Sequence, residues 1–434
     1  MPSTKHALSR EQPPINRSPS IELNGHRYQW PGAPVAVVCV DGGDPAYFEH
    51  AVAAGLVPNI ARFMEQGFAA IAQGTVPSFT NPNNMSIVTG APPAVHGISG
   101  NFYLERETGE AVMMTGPELL RSETLLSLFS RAGLKVAAVT AKDKLRAQLG
   151  RGLDFTQGAI CFSAQHADAC TLSTHGIEGA LDYVGWPLPD MYSAELSLFV
   201  IEAGVRLLAD RRADLVYLSL TDYIQHKHAP GERESDAFYA RLDAAIGRLA
   251  EQGAIVAITA DHGMSDKASP DGIPNVIWVQ DELDQMFGAG TTRVICPITD
   301  PFVAHHGALG GFVRVYCEGD LVDPIIEYLR GLAGIEAVKS REAACAAWAL
   351  PSDREGDVVV VSDRDTALGA SKADHDLSEL AGLRLRTHGG IAEAQVPFIL
   401  SHPLDAAHSS EAARGELQSH DIFRFALNGC VSLN

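Results

Sequence analysis

Acidic and imidazole side chains follow three apolar runs of this chain, at the point where each run ends. Asp41 comes directly after VAVVCV, Asp222 is the second residue after LVYLSL, and Asp261 with His262 comes directly after AIVAITA. Taken singly, an Asp after a strand is more often a turn former or a helix cap than a ligand. In open α/β sheets the carboxyl ends of the strands face the ligand crevice, so these side chains are predicted to meet at one rim.

Two more imidazoles extend this set. His226 comes four residues after Asp222 in DYIQH, a spacing that puts both side chains on one face of a helical turn. Such a pair is a common salt bridge and also a common two-ligand unit for a metal ion. His388 stands in RTHGG, just before the chain returns to an apolar run, and the two glycines allow a close backbone approach there.

Thr80 contributes a hydroxyl group. The stretch SFTNPNNMS places it where an apolar run gives way to a helical pattern. Taken alone, the polar residues of such a turn are helix caps, and a helix beginning near Met85 would be capped by Asn83, Asn84 or Ser86. Beside the predicted rim of carboxylates and imidazoles, the Thr80 hydroxyl is better interpreted as a metal-bound nucleophile than as a cap.

The rim would hold three carboxylates, three imidazoles and one hydroxyl, with no thiolate. Nitrogen and oxygen donors of this kind suit zinc, and suit manganese or iron less well. Seven donors are too many for one tetrahedral ion and fit two. We therefore predict two divalent metal ions, with Zn²⁺ preferred, at a site built from Asp41, Thr80, Asp222, His226, Asp261, His262 and His388.

The composition limits the partners. The 434 residues contain 33 Lys and Arg against 53 Asp and Glu, a formal net charge of −20. Nucleic acid and anionic membranes bind through basic clusters that are missing here, so neither is expected, and the predicted partner is a small molecule. Seven scattered cysteines without a C-x-x-C pair predict reduced thiols in a cytoplasmic protein. No apolar stretch approaches the roughly 20 residues of a membrane span.

Short β-branched runs alternate with loops and helical patterns, which predicts the fold class. Continuous Val, Ile and Leu indicate strands buried on both faces, and the alternation indicates an α/β fold with a doubly wound, mostly parallel sheet flanked by helices. A helix predicted over 235–252 places four apolar side chains on one face, namely Phe238, Leu242, Ile246 and Leu249. The predicted domain organisation is a mobile N-terminal arm at 1–30, a catalytic core at 31–264 and 387–434, and a smaller inserted α+β cap at 265–386.

The motifs VVCVDGGDP, SFTNPNNMSIVTG, TDYIQH, ITADHGM and THGG occur in the order and approximate spacing of the alkaline phosphatase superfamily. Over about 35–400 the chain resembles the branch that contains nucleotide pyrophosphatases/phosphodiesterases. The resemblance implies an alkaline phosphatase-like core, with Thr80 as the nucleophile. It implies one metal ion held by Asp222, His226 and His388, and a second held by Asp41, Asp261, His262 and the oxygen of Thr80.

The resemblance to this superfamily also bears on two asparagines of the turn. Asn83 matches an Asn in the family's turn. Asn81 stands where phosphodiesterase relatives usually carry an aromatic residue that helps to stack a nucleotide base, and this departure counts against a nucleotide substrate.

Lys142 and Lys144, in TAKDKL, would point to the same side of an extended chain. They could be two solvated surface lysines. Near the rim they would instead restore the positive charge that an anionic substrate needs. Together with Asn101 in SGNFY, they resemble the substrate-binding residues of superfamily members that act on phosphonoacetate. This resemblance implies hydrolysis of its carbon–phosphorus bond to acetate and phosphate through a phosphothreonine, with at least one lysine on the substrate carboxylate.

Other functions stay open. A phosphodiesterase or phosphomonoesterase would share every metal ligand. A cofactor-independent phosphoglycerate mutase-like isomerase uses a Ser nucleophile, so Thr80 counts against it. In a non-catalytic protein the metals would only hold the fold together, although a structural zinc site needs no spare hydroxyl. A homodimer is one option for the assembly, and His305 and His306 have no assigned role.

Overall fold

The structure, a computed structural model, describes residues 20–298, 307–380 and 382–432. His305 and His306 lie outside the described residues. In chain order, the described strands are β1 (Ser20–Leu23), β2 (His26–Gln29), β3 (Val35–Cys39), β4 (Phe68–Gln73), β5 (Phe102–Leu104), β6 (Ala111–Met113), β7 (Val136–Thr140), β8 (Ile160–Ser163), β9 (Leu215–Ser219), β10 (Ile255–Thr259), β11 (Ser265–Asp266), β12 (Val276–Trp278), β13 (Thr292–Ile295), β14 (Phe312–Cys317), β15 (Ile335–Ser340), β16 (Val358–Ser362), β17 (Ala367–Gly369), β18 (Arg386–Thr387) and β19 (Gln395–Leu400).

Among the described residues, seven strands form the central sheet, in the order β4-β19-β10-β3-β9-β7-β8. The five strands from β10 to β8 are parallel to one another. At the other end of the sheet, β19 pairs antiparallel with both β10 and β4. The predicted mostly parallel sheet is thereby confirmed.

The central strands are apolar because both of their faces are covered. Every residue of β3, β7 and β9 is buried. Along β3, Ala36 and Val38 pack into the apolar cluster on one face, whereas Val35, Val37 and Cys39 pack into the cluster on the other. The side chains of a strand alternate between the two faces, so two covered faces require the continuous apolar runs that are typical of parallel sheets.

Helices cover the faces of the central sheet. Helix α11 lies where a helix is predicted over 235–252, and its four predicted apolar side chains are buried against the sheet. In chain order, the described helices are α1 (Pro45–Ala53), α2 (Pro58–Gln66), α3 (Thr80–Thr89), α4 (Pro93–His96), α5 (Leu125–Arg131), α6 (Asp143–Leu149), α7 (Leu172–His175), α8 (Ala180–Val184), α9 (Ala194–Ala209), α10 (Tyr223–Lys227), α11 (Arg233–Glu251), α12 (Val279–Phe287), α13 (Val322–Arg330), α14 (Arg341–Trp348), α15 (Ala406–Ala412) and α16 (Ile422–Asn428). None of these helices has both the length and the hydrophobicity needed to cross a membrane, within the part of the chain that the structure describes.

A second, smaller sheet is formed by β13, β14, β16 and β15, and all its pairs are antiparallel. Its strands lie within the predicted insertion at 265–386, whose exact limits stay a prediction. Val76 and Phe79, which precede α3, belong to the same apolar cluster as Phe312 and Val361 of this sheet. The second sheet therefore packs directly behind the segment that leads into α3.

Part of the segment predicted as a mobile N-terminal arm, 1–30, is folded in the structure. Residues 1–19 lie outside the described residues, but β1 and β2 form an antiparallel hairpin. Tyr28 of β2 is buried in the same apolar cluster as Phe423 of α16. The backbone N–H of Gln29 also donates to Asn428 Oδ1 at 2.9 Å. The hairpin is held by contacts with residues about 400 positions away along the chain, which the polar composition of this segment does not reveal.

Candidate active site

The predicted rim forms because its three strands are neighbours. Strands β10, β3 and β9 are adjacent and parallel, so their carboxyl ends lie side by side. Asp41 follows β3, Asp222 precedes the first residue of α10, and Asp261 and His262 follow β10. Gly42 has a φ of 67°, and a Cβ there would lie 3.1 Å from the Cβ of Asp222. Glycine is needed at this turn because the two strand ends approach so closely.

Asp222, His226 and His388 form one group of donor atoms. Asp222 Oδ2 lies 2.8 Å from His226 Nε2 and 3.8 Å from His388 Nε2. All three side chains are buried, and one donor atom of each lies within 4.8 Å of the others. The short helix α10 carries His226 on the same turn as Asp222, and His388 follows directly after β18.

Asp41, Asp222 and His262 form a second group with the same spacing, so Asp222 belongs to both. His262 Nε2 lies 3.1 Å from Asp41 Oδ1, and Thr80 Oγ1 lies 3.2 Å from His262 Nε2. Asp261 lies further back, with its Oδ1 4.0 Å from His262 Nε2 and bonded to the backbone N–H of His262 at 3.0 Å. The fold thus brings all seven predicted donors together, and their individual roles as ligands stay predictions.

Each of the three imidazoles is held at Nδ1 by a backbone carbonyl. The pairs are His226 with Arg386 O at 2.6 Å, His262 with Gly263 O at 2.8 Å, and His388 with Ser78 O at 2.7 Å. Because a carbonyl can only accept, Nδ1 carries a proton in each case, and Nε2 is the ring nitrogen that faces the carboxylates. Metal-binding histidines are commonly oriented in this way.

Burial and neighbouring charges shift the pKa values of three side chains in the site. Burial raises the pKa of Asp261 well above its usual range, and the nearby Asp41 adds to this effect. Burial opposes the charged form of His262, but Asp261 and Asp41 outweigh burial and raise the pKa of His262 to about 10. His388 stacks on His262 with ring centroids 3.5 Å apart, and burial followed by the charge of His262 holds the pKa of His388 well below its usual range.

Thr80 is the first residue of α3, so the helix begins at Thr80 and the start predicted near Met85 is wrong. Phe79 is the N-cap and makes no side-chain capping bond, which also overturns the capping role predicted for Asn83, Asn84 or Ser86. Every residue of α3 after Thr80 is buried. The helix therefore runs through the interior, and its N-terminus favours a bound anion beside the Thr80 hydroxyl.

Asn81 and Asn83 are buried and bind backbone groups. Asn81 Nδ2 donates to Met114 O at 2.7 Å and to Gly100 O at 3.3 Å. Asn83 Oδ1 accepts the N–H of Thr75 at 2.7 Å. Both side chains therefore shape the loops around α3. A buried amide occupies the position where an aromatic residue would stack on a nucleotide base.

Asn84 is a site residue that the sequence analysis missed. Its Nδ2 donates to Asp261 Oδ2 at 3.1 Å and to Thr80 O at 2.9 Å. Its Oδ1 accepts the hydroxyls of Tyr217 at 2.7 Å and Ser219 at 2.9 Å. Asn84 thereby joins α3 to β9 and holds the Asp261 carboxylate. Its only signal in the sequence is its place in the same turn as Thr80, where it was interpreted as a cap.

A small cavity of about 40 Å³ opens beside Thr80. Its lining includes all three predicted substrate-binding residues, Asn101, Lys142 and Lys144. The sequence analysis did not identify the apolar part of its wall, which is formed by Phe79, Leu145, Leu220 and Ile298. A cavity that combines an apolar wall with a few convergent polar groups is typical of a small-molecule site.

Lys142 and Lys144 line this cavity from the start of α6. Lys142 is the N-cap residue and Lys144 lies in the first turn, so the chain is not extended over both residues as predicted. Lys142 Nζ lies 3.9 Å from Asp222 Oδ1. Asp143, between the lysines, bonds the Nε of Arg146 at 2.8 Å through its Oδ1. The helix start therefore presents both lysines to the cavity.

The residues present fit a pair of divalent cations. All donors are nitrogen or oxygen atoms, and Asp222 stands between the two groups. The Nε2 atoms are aimed inward by the carbonyl bonds at Nδ1, which leaves donor atoms crowded around two points. A cation at each point would offset the negative charge of the buried carboxylates.

Comparisons with known proteins agree with this geometry. Residues 35–390 match the family described as type I phosphodiesterase / nucleotide pyrophosphatase. The crystal structure of a phosphonoacetate hydrolase from Sinorhizobium meliloti in complex with phosphonoformate is 47% identical in sequence, with 96% of this chain and 100% of that chain covered and a TM-score of 0.90.

More distant relatives share the fold or part of the sequence. Murine ectonucleotide pyrophosphatase/phosphodiesterase 5 is 17% identical, with 93% of this chain and 96% of that chain covered and a TM-score of 0.60, a similarity that concerns the fold alone. An uncharacterized pyrophosphatase/phosphodiesterase of Schizosaccharomyces pombe is 24% identical over 67% of this chain and 53% of its own length. The chain spans about half the length, or less, of the curated relatives it matches.

The doubly wound sheet, the two donor groups and the hydroxyl at the start of α3 agree with a protein of the alkaline phosphatase superfamily. Within that superfamily, the chain belongs to the type I phosphodiesterase / nucleotide pyrophosphatase family. The family membership predicted from the five motifs is therefore confirmed.

Proposed function

We propose that this chain hydrolyses the carbon–phosphorus bond of phosphonoacetate, giving acetate and phosphate. The proposal depends on one observation above all: Lys142 and Lys144 line the same small cavity as Thr80. Phosphonoacetate is negatively charged at both ends, so it needs cations at the carboxylate end as well as at the phosphoryl end. The similarity over nearly the whole chain to a phosphonoacetate hydrolase whose structure contains phosphonoacetate supports the same substrate.

Thr80 would act as the nucleophile. Its Oγ1 attacks phosphorus as the carbon–phosphorus bond breaks, and the electron pair of that bond leaves with the carbon atom. Asp41 Oδ1, which lies 3.5 Å from Thr80 Oγ1, is within reach of the hydroxyl proton. Water then hydrolyses the phosphothreonine at Thr80, which releases phosphate and restores the hydroxyl.

Carbon is a much poorer leaving atom than an ester oxygen, so the departing carbanion must be stabilised. The adjacent carboxylate can take up the charge as an enediolate, which water protonates to acetate. Lys142 and Lys144 would neutralise this charge, and the Asn101 amide would donate to a phosphoryl oxygen. Alkylphosphonates without a carboxylate should therefore not react.

Two divalent metal ions complete the proposal, with zinc preferred for the nitrogen and oxygen donors. The ions would be held by Asp222, His226 and His388 at one position and by Asp41, Asp261, His262 and Thr80 at the other. When bound, such ions would lower the pKa of the Thr80 hydroxyl and offset the charge of the phosphoryl group.

A phosphodiesterase or phosphomonoesterase is the alternative, since the family match concerns that class. It would use the same donors and Thr80, so only the cavity distinguishes the two functions. Asn81 is bonded to backbone carbonyls, which counts against recognition of a nucleotide base. Hydrolysis of p-nitrophenyl phosphate esters without release of acetate from phosphonoacetate would favour this alternative.

Phosphorus and proton NMR of the purified protein tests the proposal directly. With zinc supplied, phosphonoacetate should give equal amounts of phosphate and acetate, and a chelator should stop the reaction. Methylphosphonate is the matched control, because it lacks the carboxylate that the lysines would bind. The absence of acetate with zinc present would refute the proposed substrate, and cleavage of methylphosphonate at a similar rate would refute the role of the lysines.

A Thr80→Ala variant separates catalysis from a merely structural role of the site. Because Thr80 is only partly buried, its free energy of unfolding should change by less than about 1 kcal/mol. Turnover should fall by at least about 10³-fold, because no nucleophile remains. Thr80→Ser, which keeps a hydroxyl, is the control and should retain measurable turnover. Unfolding or loss of bound metal in Thr80→Ala, with no separate loss of chemistry, would support the structural role.

Two further expectations belong to the proposal. A cytoplasmic location follows from the scattered cysteines, and all seven are unpaired. A homodimer stays an option that size-exclusion chromatography with light scattering can test.

A further inference from the structure

Arg314 of β14 is completely buried in the second sheet. Removing a guanidinium from water costs several kcal/mol, so an arginine is tolerated in such a place only when its N–H groups are paired. Its Nε and Nη2 donate to the two carboxylate oxygens of Glu355, at 2.7 Å and 2.6 Å. Glu355 is equally buried, so the pair forms a rigid fork inside the molecule.

The remaining N–H groups of Arg314 bind the loop that carries Asn101. Nη2 donates to Ser99 O at 2.8 Å, and Nη1 donates to Phe102 O at 2.7 Å. Between these two carbonyls, Gly100 lies so close that an added Cβ would be 3.2 Å from Arg314 Nη1. The guanidinium therefore holds the backbone on both sides of Asn101.

The Asn101 side chain depends on this backbone for its position. Its backbone N–H donates to Pro297 O and its carbonyl accepts from the Met114 N–H, both at 2.7 Å. The side-chain Nδ2 makes a longer bond, to Ile298 O at 3.3 Å. Arg314 is not part of the cavity lining, whereas Asn101 is. Any effect of Arg314 on the reaction must therefore pass through the loop.

We propose that Arg314, held by Glu355, is a positioning residue that aims the Asn101 amide at the phosphoryl group of the substrate. The second sheet would then act on catalysis through two backbone carbonyls, without touching the substrate. This inference rests on the proposed function for the identity of the group that Asn101 contacts. It does not rest on that function for the structural coupling between Arg314 and the loop.

A double-mutant cycle tests the proposal. Arg314→Lys keeps the charge but lacks the planar fork that reaches Glu355 and both carbonyls at once. In the otherwise unchanged protein it should lower kcat/KM by about 10- to 100-fold, because a small displacement of a catalytic donor is costly. In an Asn101→Ala background the same change should cost less than about 3-fold, because no amide is left to position. Equal losses in the two backgrounds would overturn the proposal.

Arg354→Lys is the matched control. Arg354 is also buried and donates through Nη1 to two backbone carbonyls, Gly97 O at 2.6 Å and Leu119 O at 2.9 Å, which do not flank Asn101. Its effect on kcat/KM, whatever its size, should be the same in the otherwise unchanged protein and in the Asn101→Ala background. This control separates the loss of a buried arginine that holds other backbone carbonyls from the specific coupling.

A second variant keeps the proposal testable if Arg314→Lys does not fold. Arg314→Met with Glu355→Leu removes both charges together, and such replacements of buried pairs are often tolerated. Hydrogen exchange should accelerate by at least about 10-fold at the amides of Asn101 and Met114, while the amides of α11 keep their protection. Unchanged exchange at these two amides would overturn the proposal whatever the activity. Because this measurement needs no substrate, it also separates failure of the proposal from failure of the proposed function.

Discussion

At the scale of single residues, the site depends on side chains that hold the donors as much as on the donors themselves. Asn84 is completely buried, yet its side-chain Nδ2 and Oδ1 atoms each make two hydrogen bonds. An amide in this position can satisfy a carboxylate, a carbonyl and two hydroxyls at once, which no apolar residue of similar size can do. The Asp261 carboxylate therefore keeps one orientation although it is surrounded by like charge.

The first prediction concerns Asn84→Leu. The change leaves the Tyr217 hydroxyl, the Ser219 hydroxyl and Asp261 Oδ2 without their partner, so the free energy of unfolding should fall by about 2–4 kcal/mol. Urea unfolding followed by circular dichroism measures this. Thr89→Val on the same helix removes a hydroxyl that donates to Met85 O and Ser86 O of that helix, and should cost less than about 1 kcal/mol. Similar losses in the two variants would contradict the network described for Asn84.

At the scale of elements, α3 and α4 are joined by a histidine that must stay neutral. His96, at the end of α4, accepts the N–H of Ile98 at Nδ1 (3.2 Å), so its Nε2 carries the proton and donates to Ser86 Oγ of α3 (2.9 Å). Burial, followed by the charges of His420 and Arg354, lowers the pKa of His96 to about 3. Protonation would break the bond at Nδ1 and place a charge in the apolar interior.

This lowered pKa predicts a loss of stability in acid. Above about pH 6.5 the ring is neutral in both folded and unfolded chains, but below that the unfolded chain binds the proton first. Between roughly pH 6 and pH 4, the free energy of unfolding of the natural protein should therefore fall as the pH is lowered. This fall should be steeper than in His96→Gln by about 1.4 kcal/mol per pH unit. Denaturant unfolding at several pH values measures the difference. Gln replacement at the exposed His166 is the control, and parallel slopes for the natural protein and His96→Gln would refute the assignment.

At the scale of the whole molecule, a second buried pair, Lys267 with Glu393, connects the segment before β19 to the loop after β16. Lys267 Nζ lies 3.2 Å from Glu393 Oε1 and donates to Asp363 O at 3.1 Å. Glu393 Oε2 in turn accepts the Gly390 N–H at 2.8 Å, and its backbone carbonyl accepts the Gly263 N–H at 2.6 Å. The segments that follow His262 and His388 are thus tied to the loop after β16. The two sheets are therefore expected to unfold together.

The third prediction tests this connection. Lys267→Met alone leaves the Glu393 carboxylate buried and unpaired, so the free energy of unfolding should fall by about 3–5 kcal/mol. Adding Glu393→Gln removes the charge but keeps an acceptor for the Gly390 N–H, and should recover at least about half of the loss. Guanidinium unfolding of the two variants provides the comparison. If the double variant is no more stable than the single one, the pair does not work as described.

Much of this protein could be predicted from sequence because the relevant patterns are local. A parallel strand covered on both faces needs a continuous apolar run, and the residue after such a run lies at the rim whatever the rest of the chain does. Asp41, Asp222, Asp261 and His262 were placed together for that reason, and the five motifs indicated the superfamily. Asn101, Lys142 and Lys144 line one cavity with Thr80, and their roles in substrate binding stay predictions.

Only the tertiary structure decided how these groups are held. The start of α3 at Thr80, the shared place of Asp222 between two donor groups and the bonds of Asn84 depend on contacts between distant segments. The same is true of the Nδ1 protons, since His226 is oriented by a carbonyl 160 residues away and His388 by one 310 residues away. Such bonds form only when packing brings two backbones together, so no local preference encodes them. The sequence by itself determined which chemical groups reach the rim, and the packing of two sheets around α3 decided their orientation and support.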